Sequence, residues 1–171
     1  MSLKLDEKDL AILAVIQEDS HLTAKQIAKK IGAPLTTIFA KIKRMEEQQI
    51  IQGYRAVISP EKLGVVTSAF ILASVSYQSK SDGGKPVSQR TVAEEIAGFA
   101  EVQEVHIITG DWDLLVKLRA SSVDAIGKFV VDKLRLIRGL EKTLTCMVFE
   151  TVKETTAVAL PLKRATKVQL E

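Results

Sequence analysis

The chain of 171 residues has few aromatic residues and a single cysteine, and each shortage excludes a class of protein. Aromatic residues make up 5% of the sequence, so a hydrophobic core must be built from Ile, Val, Leu and Ala. Cys146 alone cannot form a disulfide framework or a thiolate zinc site. No apolar stretch approaches the ~18 residues that cross a bilayer, and residues 1–10 mix acids and bases without the apolar run of a secretory signal. We therefore expect a cytoplasmic protein without a membrane segment.

The net charge of +3 is a weak signal, but its distribution is informative. Between Ser20 and Met45 there are six basic residues and no acidic one. A compact basic patch of this kind suits a surface that binds a polyanion, although the solvated face of two helices would give the same pattern. The six basic residues are Lys25, Lys29, Lys30, Lys41, Lys43 and Arg44.

The N-terminal third of the chain carries the periodicity and the end signals of helices. Asp6 can cap a first helix, with Asp9 three residues later as in a capping box. Thr23 and Gln26 form a full capping box before a second helix, and Gly32 is placed to end it. Two short helices joined by a tight turn that contains glycine indicate a helix-turn-helix.

A third helix is predicted to begin at Pro34, a residue suited to a first helical turn. Ile38, Ile42 and Met45 form its apolar side. On the other side, threonine hydroxyls and basic side chains can bond base edges and phosphates of double-stranded DNA. The residues predicted to contact DNA are Thr23, Lys25, Thr36, Thr37, Lys41, Lys43 and Arg44.

The segment after the third helix, IIQGYRAVI, is rich in β-forming residues and interrupted by Gly53. This pattern predicts a small β-hairpin, the wing of a winged helix-turn-helix. We therefore assign residues 1–63 to a DNA-binding domain of this class.

The pattern changes after residue 64 to strands that alternate with helices. Their order, β-α-β-β-α-β, predicts the ferredoxin-like split motif over residues 64–153. Residues 78–90 are polar and contain Gly and Pro, which predicts a long exposed loop. The extension, residues 154–171, could add an edge strand, pack on a partner subunit or be a disordered end. The predicted strands are 68–76, 102–109, 113–119 and 143–152, and the predicted helices are 92–99 and 123–137.

Few residues of the second domain have the chemistry of a catalytic or metal site. Asp111 and Asp113 flank Trp112, and paired carboxylates can serve acid–base chemistry or metal binding. Aspartate is common in turns for backbone reasons alone, however, and no motif links this pair to His106 or Cys146. We interpret His106 as a partly buried strand histidine rather than a metal ligand. The prediction is no catalytic site, no metal and no cofactor.

Four segments, in order, resemble the Lrp/AsnC family, the leucine-responsive type of transcription regulators. LDEKDLAIL resembles the family's first-helix signature, and GAPLTTIFAKIKRMEEQQIIQGYRAVISPEKLG resembles its recognition helix, wing and linker. GDWDLLVKL resembles its glycine-aspartate-aromatic-aspartate hairpin, and EKTLTCMVFETVK resembles its final strand. The likeness covers about residues 5–153. Pro34 and Ala40 depart from the family pattern, which usually has a serine or similar cap and often an arginine at these positions.

The resemblance implies an α+β fold, with a winged helix-turn-helix followed by a ferredoxin-like βαββαβ ligand-sensing domain. Such proteins dimerise through their sheets, and the homodimers often assemble into octamers with DNA bound around the rim. Small amino acids typically bind where dimers meet, near the glycine-aspartate hairpin. The effector-binding residues expected on this basis are Thr109, Gly110, Asp111, Trp112, Asp113, Thr143 and Thr145.

A physical account fits the implied effector site. An α-amino acid is a zwitterion, so its pocket must satisfy two opposite charges. Asp111 or Asp113 can face the ammonium group, and backbone N–H groups around Gly110 can hold the carboxylate because glycine permits close approach. Thr143 and Thr145 share one strand face and can add hydroxyl groups.

We therefore expect a homo-oligomeric transcription regulator, not an enzyme, that binds DNA and senses an amino acid or related small molecule. One alternative is a chromatin-like DNA-organising protein that needs no effector. Another is a ferredoxin-like small-molecule-binding or enzymatic domain whose helical part only mediates contacts. Salt-sensitive, sequence-selective DNA binding would separate the first two from the third.

Overall fold

The computed structural model describes residues 5–76 and 87–161 of the chain. These residues form two compact units. The first combines residues 5–57 with residues 154–161, and the second is made by the chain between them. The N-terminal unit therefore includes a piece from the far end of the sequence, which we had predicted as a separate extension.

Three helices form the first unit, and local hydrogen bonds define where they begin and end. Asp6 and Asp9 make the predicted capping box before the first helix, and Thr23 and Gln26 make the one before the second. Gly32 has a φ of 69°, the left-handed conformation that favours glycine at the end of a helix. The predicted helix-turn-helix is confirmed. The helices are α1 (Glu7–Glu18), α2 (Ala24–Ile31) and α3 (Leu35–Glu47).

The core of the first unit is aliphatic and lies between the three helices. Ile12 of α1 and Ile38 and Met45 of α3 are fully buried, and α2 contributes Ile27. Fully burying a side chain of this size contributes about 1.5–3 kcal/mol. One side of α3 is therefore fixed against the unit, and its opposite side faces solvent.

The β-hairpin that we predicted after α3 is not formed. Residues 50–58 contain no strand, and Val57 in this segment is fully exposed. An isolated two-stranded hairpin is marginally stable in water, and in the described part of the chain no third strand covers this segment. Ile51 is buried instead, and the Tyr54 hydroxyl donates to Glu46 Oε1 at 2.8 Å. These two contacts attach the segment to the helical unit without strand pairing.

The C-terminal piece of the first unit lies against α1. The side-chain amide of Gln17 makes two hydrogen bonds with the backbone of Val158: Nε2 donates to its carbonyl at 3.2 Å, and its N–H donates to Oε1 at 2.7 Å. Leu160 packs against the cluster of buried residues that includes Ile12 and Ile38. Residues 154–161 form no strand and pack on their own chain, whereas residues 162–171 lie outside the described residues.

A four-stranded antiparallel sheet with helices forms the second unit. Counted along the chain, the first and third strands lie at the centre of the sheet, and the second and fourth strands form its two edges. The predicted β-α-β-β-α-β order is confirmed. After a 3-10 turn (Glu61–Leu63), the elements are β1 (Thr67–Val75), α4 (Gln89–Ala97), β2 (Val102–Ile107), β3 (Leu114–Ala120), α5 (Val123–Lys128), a π-helical turn (Phe129–Lys133), a 3-10 turn (Leu134–Leu136) and β4 (Leu140–Met147).

Several element boundaries of the second unit differ from those we predicted: the last strand ends at Met147 rather than at residue 152, and the helix predicted over 123–137 continues beyond Lys128 as π-helical and 3-10 turns. The helix α4 is capped by Ser88, whose Oγ accepts the N–H of Arg90, and not by Thr91. The last strand begins at residue 140 rather than 143 because Gly139, with a φ of 90°, turns the chain directly into the sheet. Its carbonyl accepts the N–H of Ser76 at 2.8 Å. Of the loop predicted over residues 78–90, residues 78–86 lie outside the described residues, and Gln89 and Arg90 belong to α4 instead.

The two faces of the sheet are buried to different degrees in the described chain. Ile71 of β1 pairs with Val116 of β3 on the face that the helices cover, and both are fully buried. The opposite face carries Phe70 and Leu72, which are partly buried, and Leu144, which is exposed. We call the second face the open face of the sheet. An exposed apolar surface of this kind is typical of a surface that associates with another molecule.

Candidate nucleic-acid interface and ligand pocket

Helix α3 presents one exposed stripe to solvent. The stripe is made of Thr36, Phe39, Ala40 and Lys43, which follow the helical spacing i, i+3, i+4, i+7. We call these four residues the outer face of α3. The Lys43 side chain is 78% exposed, with its ammonium group 3.8 Å from Glu47. Thr36 and Lys43, two of the predicted DNA contacts, therefore lie where a duplex could reach them.

The other predicted DNA contacts differ in how exposed they are to solvent. Thr23 is exposed, but its hydroxyl donates to Gln26 Oε1 at 2.7 Å and accepts the N–H of the same residue at 3.3 Å, so it caps α2. Lys25 is exposed on α2. Thr37 and Arg44 are partly buried at the edges of the outer face of α3.

A buried carboxylate joins α1 to α3. The side chain of Asp9 is 1% exposed. Its Oδ1 accepts from Lys41 Nζ at 3.0 Å, and its Oδ2 accepts from Arg44 Nη2 at 2.6 Å and from the N–H of Asp6 at 2.9 Å. Asp6 Oδ2 accepts a second hydrogen bond from Lys41. We call these four residues the Asp9 cluster, in which each charge has a partner, as burial requires.

The Asp9 cluster shifts the pKa values of two of its members. A hydrogen bond from Lys41, followed by one from the backbone N–H of Asp9, lowers the pKa of Asp6 from 3.8 to about 2. Burial alone lowers the pKa of Lys41, but its hydrogen bonds to Asp6 and Asp9 outweigh this effect and raise that pKa above 10.5. Both groups are therefore charged at neutral pH, and the cluster connects α1 to α3 electrostatically in addition to their apolar packing.

Lys41 does not lie on the exposed side of α3, where we predicted it. Its side chain is 15% exposed, and its ammonium group is held by Asp6 and Asp9. The reason is helical geometry: Lys41 follows Ile38 by three residues and precedes Met45 by four, so it lies along the buried side. Two of the three N–H donors of its ammonium group are therefore occupied by carboxylates. Its role as a DNA contact remains a prediction.

The second unit contains a cavity of about 610 Å³ beside β4. This volume is within the range of small-molecule sites. The cavity has lining groups of both charges, Arg135 and Lys142 with Glu141, none of which we had predicted. It brings together two of the predicted effector residues, Trp112 and Thr143. The full lining is Trp112, Arg135, Leu140, Glu141, Lys142, Thr143 and Leu144.

Asp113 is absent from this lining and instead connects neighbouring elements. Its Oδ2 accepts the N–H of Val75 at 2.7 Å, and its Oδ1 accepts from Gln89 Nε2. Its own N–H donates to the carbonyl of Ala73 at 3.0 Å. The carboxylate therefore bridges β1, α4 and the hairpin. Glu141, rather than Asp113, is the carboxylate that lines the cavity.

The remaining predicted effector residues also lie outside the cavity lining. Thr109, Gly110 and Asp111 are exposed in the turn between β2 and β3. Gly110 has a φ of 119°, a conformation that side chains rarely adopt, so glycine is required there for the turn itself. Thr145 is partly buried on β4. The hairpin thus contributes Trp112 to the cavity, and its other predicted residues lie outside the lining.

Two residues that we considered as catalytic or metal candidates are exposed. His106, predicted to be partly buried, has a side chain that is 54% exposed, because β2 is an edge strand. Its Nε2 lies 3.1 Å from an oxygen of Glu104. Cys146 is a free, exposed thiol on β4. Within residues 5–76 and 87–161, no group of three or more His, Cys, Asp or Glu residues is placed to hold a metal ion.

A helix-turn-helix with an exposed third helix, followed by a sheet domain with a ligand-sized cavity, defines a class of DNA-binding transcription regulators that carry a ligand-binding domain. Comparison with known families agrees with both halves. A model described as winged helix-turn-helix DNA-binding matches residues 5–52, and one described as the Lrp/AsnC ligand binding domain matches residues 68–158. The chain belongs to the Lrp/AsnC family.

Individual relatives match the chain over both units. An uncharacterized HTH-type transcriptional regulator of Pyrococcus abyssi is 42% identical over 150 residues, which cover 88% of this chain and 96% of that protein. The HTH-type transcriptional regulator FL11 of Pyrococcus horikoshii is 35% identical over 163 residues, 95% of this chain and 100% of that protein. A solved transcriptional regulator of Neisseria meningitidis, in complex with L-methionine, has a TM-score of 0.82 and 26% identity and covers 92% of this chain and 98% of that chain.

Proposed function

We propose that an α-amino acid binds in the cavity beside β4 and changes the affinity or the assembly with which this regulator binds DNA. The observation that carries the proposal is the pair of opposite charges in one cavity lining, Glu141 with Arg135 and Lys142. A zwitterion needs both: a carboxylate for its ammonium group and a cation for its carboxylate.

Other lining residues could contact the side chain of the bound amino acid, and one amino acid is the first candidate to test. Trp112 and Leu144 offer surface for an apolar ligand side chain, and Thr143 offers a hydroxyl group. The similar regulator of Neisseria meningitidis was solved with L-methionine, so L-methionine is the first ligand to test. The ligand regulates DNA binding only if its affinity differs between the states of the protein that bind DNA well and poorly.

The test is a thermal-shift screen of L-methionine, the other common amino acids and β-amino acids with the full chain. A ligand at a hundredfold excess over its dissociation constant stabilises the folded state by about 2.7 kcal/mol. Trp112 is the only tryptophan, so a ligand in the cavity should also change the tryptophan emission. Glu141→Gln and Arg135→Met should weaken binding, while Glu150→Gln, an exposed residue outside the lining, should not.

Two results would contradict the proposal. If a ligand found by calorimetry binds Glu141→Gln and Arg135→Met as tightly as the parent protein, its site is elsewhere. If no amino acid shifts the melting temperature and DNA binding is unaffected by all of them, the protein is instead a DNA organiser without an effector of this class.

We also propose that the protein forms homodimers through the open face of the sheet and that the dimers assemble further, to octamers. Phe70, Leu72 and Leu144 on this face support the proposal because they leave apolar surface without cover within the described chain. A two-fold dimer presents two α3 helices, so its DNA target should be a partial palindrome with half-sites about one helical turn, or a multiple of it, apart. Leu72→Glu should yield monomers in sedimentation velocity; an unchanged sedimentation coefficient would exclude this face.

The assignment of roles to the two parts of the chain belongs to the same proposal. Residues 1–63 would bind DNA and residues 64–153 would bind the effector and mediate assembly, without catalysis. We expect the protein to act in the cytoplasm, which cell fractionation would test. As a separate finding, no helix in the described part of the chain is long and apolar enough to cross a membrane.

A further inference from the structure

The outer face of α3 is apolar at its centre. Phe39 is 59% exposed and Ala40 is exposed beside it, with Thr36 one turn before and Lys43 one turn after. The chain has only five phenylalanines, and two of the others pack edge to face in the second unit with ring centroids 5.4 Å apart. A phenylalanine ring left in solvent in the middle of this helix indicates a surface that a partner covers.

Side chains that recognise bases through paired hydrogen bonds are scarce on this face. Arginine, asparagine and glutamine make such bonds to guanine or adenine in the major groove. The helix α3 contains no asparagine or glutamine, and its one arginine, Arg44, donates from Nη2 to Asp9. Recognition helices contact base edges mainly through their N-terminal half. In that half of α3, the exposed residues are Leu35, Thr36, Phe39 and Ala40.

The thymine C5 methyl is the group in the major groove that an apolar surface complements. We propose that Phe39 and Ala40 contact thymine methyl groups, so that the positions of thymines specify each half-site. The inference rests on DNA binding through α3, which is part of the function described above. Thr36 and Lys43 at the two ends of the face add polar contacts, and the exposed Lys25 supplies further positive charge for the phosphates on either side.

The experiment uses the full chain and a duplex selected from a random pool by repeated rounds of binding. Each thymine of the selected half-site is then replaced in turn by deoxyuridine, which keeps every hydrogen-bonding group and removes only the methyl. Affinities are measured by fluorescence anisotropy at one fixed salt concentration. At one or two positions the parent protein should bind about fourfold more weakly, the effect of losing one buried group of this size.

The variant Phe39→Ala tests whether the weaker binding of the deoxyuridine duplexes is due to the Phe39 ring. It should bind the parent duplex more weakly and should bind the thymine and deoxyuridine duplexes equally at the position that Phe39 contacts. Val131→Ala is the matched control, because it shortens an apolar side chain that is 54% exposed in the second unit. This control should keep the full sensitivity to deoxyuridine. Phe39→Leu, which retains apolar surface, serves as a second variant if Phe39→Ala lowers the melting temperature.

The possible failures have different meanings. If the parent protein selects a duplex but no deoxyuridine substitution weakens binding, thymine recognition is wrong and DNA binding stands. If no duplex is selected, DNA binding by this chain itself is contradicted. If Phe39→Ala changes the sedimentation coefficient and leaves the deoxyuridine effect intact, the ring contacts a second copy of the chain and the inference is wrong.

Discussion

Arg44 of α3 donates a 2.6 Å hydrogen bond from Nη2 to Oδ2 of Asp9, a carboxylate that is buried at the start of α1. The arginine is 43% exposed, so one end of its side chain is fixed inside the unit and the remainder is at the surface. Lys41 binds the other oxygen of Asp9. A single buried charge in α1 therefore binds two basic side chains of α3.

Asp9→Ala should destabilise the first unit by about 1–3 kcal/mol, because it removes the buried acceptor of the Asp6 N–H and of Arg44, while Lys41 keeps its hydrogen bond to Asp6. Urea unfolding followed by the circular dichroism of the helices should therefore begin at a lower urea concentration. The urea midpoint followed by Trp112 emission, which reports on the second unit, should not change. Glu18→Ala, at the exposed end of the same helix, is the control and should change stability by less than about 0.5 kcal/mol. Equal effects of the two substitutions would mean that the Asp9 cluster contributes little.

Lys43 and Lys41 should differ in their effects on DNA binding although they are two residues apart. Lys43 is on the outer face of α3, so Lys43→Ala should lower the log–log salt slope of DNA affinity by about one unit and leave the melting temperature unchanged. Lys41 is bound by two carboxylates, so Lys41→Met should lower the melting temperature and leave the slope unchanged. The reverse pattern would show that Lys41 releases its carboxylates to bind phosphate.

Asp113→Ala should destabilise the second unit, because it leaves the N–H of Val75 and the amide of Gln89 without their acceptor. The expected loss is about 1–3 kcal/mol, the effect of an unsatisfied buried group. Asp111→Ala, in the exposed turn, is the matched control and should have no effect. Both are measured by thermal unfolding, followed by titration with L-methionine below the transition. A folded Asp113→Ala protein that has lost all affinity would place Asp113 in the ligand site after all.

Asp6 should make the stability of the first unit depend on acid pH. Its pKa in the folded protein is about 2, below the value of 3.8 for the unfolded chain. Its contribution is therefore complete above pH 3.8 and is lost as the pH falls from there towards about 2. Asp6→Asn cannot titrate and should show a shallower loss in this window, measured by urea unfolding across a pH series. If the free energy of unfolding falls with pH equally steeply in Asp6→Asn and in the parent protein, the lowered pKa of Asp6 is contradicted.

The helices of the first unit were predictable because their signals are local. The capping boxes at Asp6 and Thr23 each involve residues three apart, and Gly32 acts on its own helix. The prediction of a wing hairpin was wrong for the opposite reason. Strand pairing needs a neighbouring strand, and nothing in the segment IIQGYRAVI shows whether one is present. For the same reason α4 is capped by Ser88 rather than by Thr91, since its first residue, Gln89, binds the distant Asp113.

The Asp9 cluster left a signal in the sequence that we did not use. Asp9 precedes Ile12 and Leu13 by three and four residues, so it lies on the apolar stripe of α1. Lys41 lies in the same way on the apolar stripe of α3. Charges on two buried stripes are stable only when they pair, and their opposite signs predict the contact.

No sequence pattern comparable to these charged positions predicts the cavity beside β4. Arg135 and Glu141 come together because Gly139 reverses the chain at a φ of 90° between a 3-10 turn and β4. Neither residue belongs to a spacing motif, so their partnership depends on tertiary packing. Glycine is required at this position, since a Cβ there would lie 2.6 Å from Cγ1 of Val87.

The contact between Gln17 and Val158 has a consequence for how the chain folds. It closes a loop of 141 residues, and in an unordered chain such a closure costs about 4 kcal/mol of conformational entropy. The closure costs less conformational entropy once the intervening sheet unit has folded, because folding removes most of that freedom. During synthesis the N-terminal helices leave the ribosome first, and the place of Leu160 on their buried cluster is filled only after residue 160 has been made. A chain that stops before residue 154 therefore lacks the piece of the first unit that packs against α1 and its buried cluster.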